Sequence, residues 1–292
     1  MRSVLLVVNP ASRHGNAGAD EALDAFHDLG VRCEVALTDA AGHAAEITKA
    51  RSGLHDAVFT FGGDGTAMEA IGALVGTDRP IGILPGGTGN QLARHLGTPL
   101  HVGRAVRSLV AGGSARIDLG RLASGRRFAL TSGIGIDAAM LAGATASAKR
   151  RFGFGAYLWS GFRAIVSAER HAVVATVDGV RYERECGLAM IANIGALFGG
   201  LLPLGPSVRT DDGLLDLCLF SANSAAEALD DVRRCMMRDF RPHPRLLFVP
   251  GREITIETAR PTAVQADGEL LDATPLHAVA EPLAARLLTP VS

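Results

Sequence analysis

Between residues 3 and 97 the chain alternates unbroken apolar runs with stretches of helical character, and this rhythm restricts the fold more than any other feature. The apolar runs are "SVLLVVN", "RCEVALT", "DAVFTFG" and "PIGILPG", followed in turn by "GADEALDAFHDLG", "AGHAAEITKARSG", "TAMEAIGALVG" and "NQLARHLG". Strands without polar alternation are buried on both faces, so they predict a parallel sheet covered by helices and closed by right-handed crossovers. Loops then gather at the carboxyl edge, where such Rossmann-like sheets bind ligands. Asn9-Pro10, Thr38 and the turns at 62–66 and 86–90 fall on that edge.

From about Arg116 the rhythm changes. "ARIDLGRL", "RRFALTSGIG", "HAVVATVDGVRYERE", "LLDLCLF", "RLLFVPGREITIE" and "PTAVQADGELL" are short strands separated by turn residues, with Asp178-Gly179 as a hairpin signal. This half is mainly β. Two helical inserts interrupt it, near 137–169 and near 224–240, the second opened by a Ser224-x-x-Glu227 capping box. Between Cys186 and Val208 no residue is charged, a length that would cross a bilayer, yet five glycines, two prolines and Asn193 break it into blocks that predict a buried strand and a loop.

Glycine is concentrated at two of the strand ends, in "FGGDGT" and "LPGGTGN". Gly62, Gly63 and Gly65 would permit positive φ and turn bare backbone N–H groups toward a ligand. Thr66, with Glu69 three residues on, would cap the next helix, whose N-terminus favours anions. Phosphate fits such a turn. Asp64 beside it calls for a divalent cation between carboxylate and phosphate, and magnesium with retained waters suits that place. The second turn adds the Thr88 hydroxyl and an Asn90 able to cap its own helix. Tight strand-to-helix turns also use glycine, but two on neighbouring strand ends, one carrying a carboxylate, favour phosphate binding. Neither GxxxxGK[ST] nor GxGxxG occurs, which argues against a P-loop NTPase and a plain dinucleotide dehydrogenase.

The 292 residues carry a formal charge of -1, with 48% apolar and 20% charged side chains, so the overall field gives no reason to expect nucleic acid as a partner. Cys33, Cys186, Cys218 and Cys235 lack CxxC spacing, and no basic, apolar leader opens the sequence; both predict a reduced, cytoplasmic protein without a zinc site. The nine histidines show no metal-ligand spacing.

"VVNPASRHGNAG", "FGGDGTAMEA", "ILPGGTGNQLARHLG", "SGIGIDA", "TDDGLLDL" and "ADGELL", in this order, resemble the diacylglycerol kinase catalytic-domain superfamily, in particular bacterial lipid kinases related to sphingosine kinases. The resemblance runs essentially end to end. It implies an NAD-kinase-like α/β nucleotide-binding domain over 1–118 and a β-sandwich lipid-substrate domain over 119–280, with the closing segment 281–292 returning to the first. It implies an ATP-dependent lipid kinase that passes the γ-phosphate to a lipid hydroxyl. ATP phosphates would lie on Gly62, Gly63, Asp64, Gly65 and Thr66, with Thr38 and Thr88 as further contacts. Asp64 would hold catalytic magnesium through water. A structural magnesium would take Asp212 and the carbonyls of Leu214 and Arg209, where relatives with a carboxylate at 209 would bind it more tightly. Asp267 and Glu269 would divide the work of proton acceptor and magnesium support, in an order left open. Met68 and Gln91 depart from the Asn and Asp frequent in the family.

Two rivals stay in view: an NAD kinase, which shares "GGDGT", and a lipid- or nucleotide-binding protein without catalysis, suggested by Met68 and Gln91. A lipid kinase would meet its substrate peripherally, at the inner face of a membrane. "AKRRFGFGAYLWSGFR" joins Lys149, Arg150, Arg151 and Arg163 to five aromatic residues, and Arg233, Arg234, Arg238, Arg241 and Arg245 form a second basic cluster. Either suits an anionic surface, and either equally suits an amphipathic helix with solvated charges.

Overall fold

The computed structural model describes residues 1–13, 15–135 and 169–291. The basic, aromatic stretch at 149–163 and nearly all of the insert expected near 137–169 lie outside the described residues. The chain divides into two compact units, Met1–Ile117 with Leu283–Ser292, and Asp118–Pro282.

The first unit contains the expected parallel sheet. Strands β1 (Ser3–Val8), β2 (Arg32–Leu37), β3 (Ala57–Gly62) and β4 (Ile81–Pro85) lie in the order β2-β1-β3-β4, every pair parallel. In β1, β3 and β4 all residues are buried, as unbroken apolar runs require. The helices are α1 (Gly15–Asp28), α2 (His43–Arg51), α3 (Asp64–Leu74), α4 (Gln91–His95) and α5 (Val102–Ala111). Helices α1 and α5 pack on each other, as do α2 and α3. Val102, Ala105, Val106 and Leu109 of α5, at helical spacing, join Val4, Leu6, Val8, Phe26, Phe59 and Phe61 in one core. Phe26 meets Phe59 edge to face at 4.9 Å. Glycine makes room for these rings: a Cβ on Gly82 would stand 2.5 Å from the Phe59 ring, and one on Gly18 2.3 Å from that of Phe61.

The second unit is a sandwich of antiparallel sheets. One contains β8 (His171–Val177), β9 (Val180–Cys186), β15 (Glu253–Thr258) and the first part of β18 (Leu276–Thr289). The other runs β14 (Leu246–Gly251), β13 (Leu215–Phe220), β10 (Leu188–Ala192), β7 (Thr131–Ile134), β16 (Ala263–Ala266) and β17 (Glu269–Ala273). Inward residues such as Ile134, Val173, Ala175, Ile191, Leu217, Ile254 and Ala278 share the core between them. Strand β5 (Gly113–Leu122) leads the chain into this unit; β18 leads it out, and Leu287 pairs with Ile81 in the first unit. The uncharged run after Cys186 is β10 followed by the small hairpin of β11 (Ala196–Leu197) and β12 (Leu202–Pro203). Among the described residues no helix is long and apolar enough to cross a membrane. Asp178 and Gly179, both at positive φ, close the β8–β9 hairpin. Ser224 caps helix α6 (Ala225–Met236) by accepting the Glu227 amide at 3.2 Å.

Because Phe59 is fully buried against Phe26, Phe59→Ala should lower the unfolding free energy of the first unit by about 3–5 kcal/mol in urea titrations. A loss below about 1 kcal/mol would mean that this face is not the core.

Candidate functional site

The carboxyl edge of the parallel sheet brings four strand ends side by side. Val8 is in register with Leu37 and Phe61, and Gly62 with Pro85, so Asn9, Thr38 and the two glycine turns follow one another along the edge. Asn9 ties the first turn to the third: its amide donates to the Phe61 carbonyl at 2.9 Å and its Nδ2 to Thr66 Oγ1 at 3.2 Å. Thr38 is buried, with its amide on the Val8 carbonyl. Thr88 is half-buried in the β4–α4 turn.

The glycines serve a different need from the one expected. Gly62, Gly63 and Gly65 all keep negative φ. At 62 a Cβ would stand 2.7 Å from Thr66 Oγ1, and at 86 and 87 it is the approach of one turn to the other that requires glycine. The Gly86 amide donates to the Gly62 carbonyl at 2.9 Å. A Cβ on Gly86 would sit 2.7 Å from the Gly62 nitrogen, and one on Gly87 2.6 Å from the Gly63 Cα. Gly63 is the exception. A Cβ there would meet nothing closer than 3.9 Å, so no packing within the protein calls for glycine at the start of α3. The space is open where first-turn amides lack intrahelical acceptors.

Capping also differs. Helix α3 begins at Asp64 with Gly63 at its N-cap, which puts Thr66 inside the helix, where its hydroxyl meets Asn9. Glu69 instead accepts the amides of Gly42 and Ala44, at 2.8 and 3.1 Å, and holds the start of α2. Asn90 does not cap α4: left-handed at φ 47°, it closes on Gly87 through bonds of 2.8 and 2.9 Å. The α4 cap is Asp64. Its two oxygens accept the Gln91 amide at 3.1 Å and the Leu92 amide at 3.0 Å. Burial pushes the Asp64 carboxyl up, opposed by those amides and by the Arg94 charge. Ser12, on the β1–α1 loop, has a buried hydroxyl without a hydrogen-bond partner among the described residues; it lies within the "VVNPASRHGNAG" motif, which singled out no role for it.

In the second unit, Asp267 occupies the β16–β17 turn at φ 49°. One oxygen accepts the Ala129 amide at 2.8 Å, and the other the amides of Leu130 and Thr131 at 2.8 and 3.0 Å. Buried Asn193 holds the same segment from the other side, its amide on the Leu130 carbonyl and its Nδ2 on the carbonyls of Ala129 and Asp118. Glu269, two residues past Asp267, is exposed and paired with Arg126.

The side chains of Arg209 and Asp212, two residues expected around a structural magnesium, each take a partner within the chain. The Arg209 guanidinium turns onto Asp211 at 3.0 Å, and Asp212 accepts the Leu214 amide at 3.1 Å in an ordinary Asx turn. Buried Asp118, unmarked in the sequence, accepts the Gly213 amide at 2.7 Å. Among the described residues no group of three or more His, Cys, Asp or Glu side chains could hold a metal. Burial, and then the negative charge of Asp212, push the carboxyl of Asp216 up to about 6.

Comparison with known proteins matches residues 3–122 to the diacylglycerol kinase catalytic domain and residues 131–289 to the YegS C-terminal NAD kinase beta sandwich-like domain. The chain belongs to the diacylglycerol kinase catalytic-domain superfamily. Among superfamily relatives, a "Diacylglycerol kinase" of Bacillus subtilis is 24% identical, over 92% of this chain and 90% of its own. A "Probable lipid kinase YegS-like" of Pseudomonas syringae is 29% identical over 96% and 92%. The crystal structure titled "a putative diacylglycerol kinase" from Bacillus anthracis superimposes with a TM-score of 0.81 at 26% identity, covering 99% and 97% of the two chains.

Two predictions follow from this superfamily site. Gly87→Ala forces the two turns apart and should cost about 1–3 kcal/mol, whereas Gly63→Ala should cost under about 1 kcal/mol; equal costs in thermal unfolding would refute the turn-on-turn contact. The folded carboxyl of Asp216 keeps its proton to about pH 6, whereas unfolded it loses it near 3.8. The folded state therefore binds more protons between those values, and stability falls as pH rises through that window. With chelator present, Asp216→Asn should remove the fall and gain about 1–3 kcal/mol at pH 7; a profile parallel to wild type would refute it.

Proposed function

We propose that this protein is a magnesium-dependent lipid kinase that transfers the γ-phosphate of ATP to a lipid hydroxyl, on a diacylglycerol, a sphingoid base or a related lipid. The observation that carries the reading is the pair of glycine turns locked together by Asp64 while Gly63 is left bare without any internal need. Bare backbone at a helix N-terminus accommodates phosphate oxygens, and the orphaned Ser12 hydroxyl offers one more donor. The residues fit the nucleotide: the 62–66 backbone for its phosphates, with Thr38, Thr88 and Ser12 as side-chain contacts. They also fit magnesium at Asp64, whose buried charge a cation would favour. Bound there, magnesium supplies positive charge to the phosphates as the phosphoryl group moves.

The rest belongs to the chain. Asp267, with both oxygens engaged by three amides, positions its turn, and Glu269 on the same turn is the carboxylate left to take the proton of the lipid hydroxyl. Arg126 pairs with Glu269 and orients its side chain. Gln91 acts through its backbone amide, so the departure from the family's Asp leaves the α4 cap intact and supports an active enzyme over a binding protein without catalysis. The protein would work from the cytoplasmic side, in peripheral contact with the membrane that carries its substrate.

The test is incubation with labelled ATP and magnesium, in separate arms holding a total lipid extract and NAD. Label in a lipid product is expected; label in NAD alone, or in neither, contradicts the proposal. Gly63→Ala should lower ATP affinity at least about tenfold while the melting temperature stays close to wild type. Unchanged affinity would remove the phosphates from this turn.

A further inference from the structure

Helix α6 sits with its polarity reversed. Its inward residues are Ala228, Asp231 and Cys235, all buried, and the Asp231 carboxylate is held there by Arg245 at 2.8 Å. The opposite side carries Leu229, Arg233 and Met236 at helical spacing, continued by Met237 at the C-cap. Leu229 is 54% exposed, Met236 58% and Met237 72%. Leu201, also exposed, lies next to β12, the strand that packs against α6. Large apolar side chains displayed together on one side of a helix mark a docking surface.

Charge identifies the partner. In the stretch 224–245 the exposed charged side chains are all cationic: Arg233, Arg238 and Arg241. Every carboxylate there is drawn in, with Asp231 buried and Glu227, Asp230 and Asp239 half-buried. Arg238 forms no ion pair among the described residues, while Arg241 rests on Asp239 at 2.7 Å. With Pro206, Asp239 and Phe240 these two arginines line an open cavity of about 560 Å³ immediately after the helix. Apolar side chains rimmed by outward arginines, with an arginine-lined hollow of headgroup size beside them, match the interface of an anionic bilayer.

We infer that the outer side of α6 and the 237–241 turn dock this protein on an anionic lipid surface, with Leu229, Met236 and Met237 entering the acyl boundary and Arg238 and Arg241 taking a phosphate headgroup. The inference deepens the lipid-kinase reading by naming where a bilayer is met, and relies on it only in choosing a bilayer over a protein partner.

The experiment is co-sedimentation of the full chain with vesicles of phosphatidylcholine alone and of phosphatidylcholine mixed with phosphatidylglycerol, across a salt series. Wild type should bind the mixed vesicles and bind phosphatidylcholine weakly. Met236→Ser with Met237→Ser should weaken binding to the mixed vesicles at least about tenfold. Arg238→Gln with Arg241→Gln should weaken it about fivefold per arginine and flatten the salt dependence. All four positions are exposed, so circular dichroism and melting should match wild type. Absence of wild-type binding to the mixed vesicles, or wild-type binding by both variants, overturns the inference. So does a change of oligomeric state in the methionine variant with vesicle binding unaltered, which would assign the face to a second copy of the chain. No arm uses phosphoryl transfer, so failure here leaves the kinase reading standing, and an inactive enzyme that still binds leaves this one standing.

Discussion

Two hydrogen bonds from a single carboxylate hold the candidate site together. Asp64 is the first residue of α3, yet its side chain reaches across to cap α4 through the amides of Gln91 and Leu92. That span brings the β3–α3 turn against the β4–α4 turn so closely that side chains at 86 and 87 would collide with the backbone of 62 and 63. The glycines are a consequence of the contact, and the contact is what a capping carboxylate demands. A buried carboxylate is costly when its oxygens lack partners, and the two amides offset part of that cost. A divalent cation beside the carboxylate would offset more, which would link the stability of the turn to what it binds.

The second unit uses the same device at Asp267. Three amides of the segment 129–131 converge on its carboxylate, while Asn193 takes the carbonyls of Ala129 and Leu130. A short connection between strands leaves backbone groups that no sheet satisfies, and here the Asp267 side chain and both the side chain and the amide of Asn193 supply the partners. Rigid support of this kind fixes the turn that carries Glu269, two residues on.

The sequence made the order of apolar runs legible, and with it the parallel sheet, the edge on which Asn9, Thr38 and both turns sit, and the mainly β second half. Local signals with local causes also held: Asp178-Gly179 closes its hairpin and Ser224 caps its helix. Signals of the same type failed where a distant group competed. Thr66 and Glu69 have capping-box spacing, but Asn9 takes the threonine and the start of α2 takes the glutamate. Asn90 has the right position for a cap and loses it to a carboxylate twenty-six residues earlier. Asp118 and Asn193 carried no motif of their own, because their importance comes from burial and from partners far along the chain.

Treating Asp64 as both joint and cation anchor separates two quantities that a purely structural carboxylate would join. Asn at position 64 keeps one acceptor for the α4 amides, and Asn and Asp are comparable as caps, but it carries no charge for a cation. The decisive measurement is the rate of label transfer from ATP to lipid by Asp64→Asn at saturating magnesium, alongside its melting temperature. The account predicts melting within a few degrees of wild type and a rate at least about a hundredfold lower. A folded variant that phosphorylates lipid at the wild-type rate would reduce Asp64 to a helix cap and contradict the account.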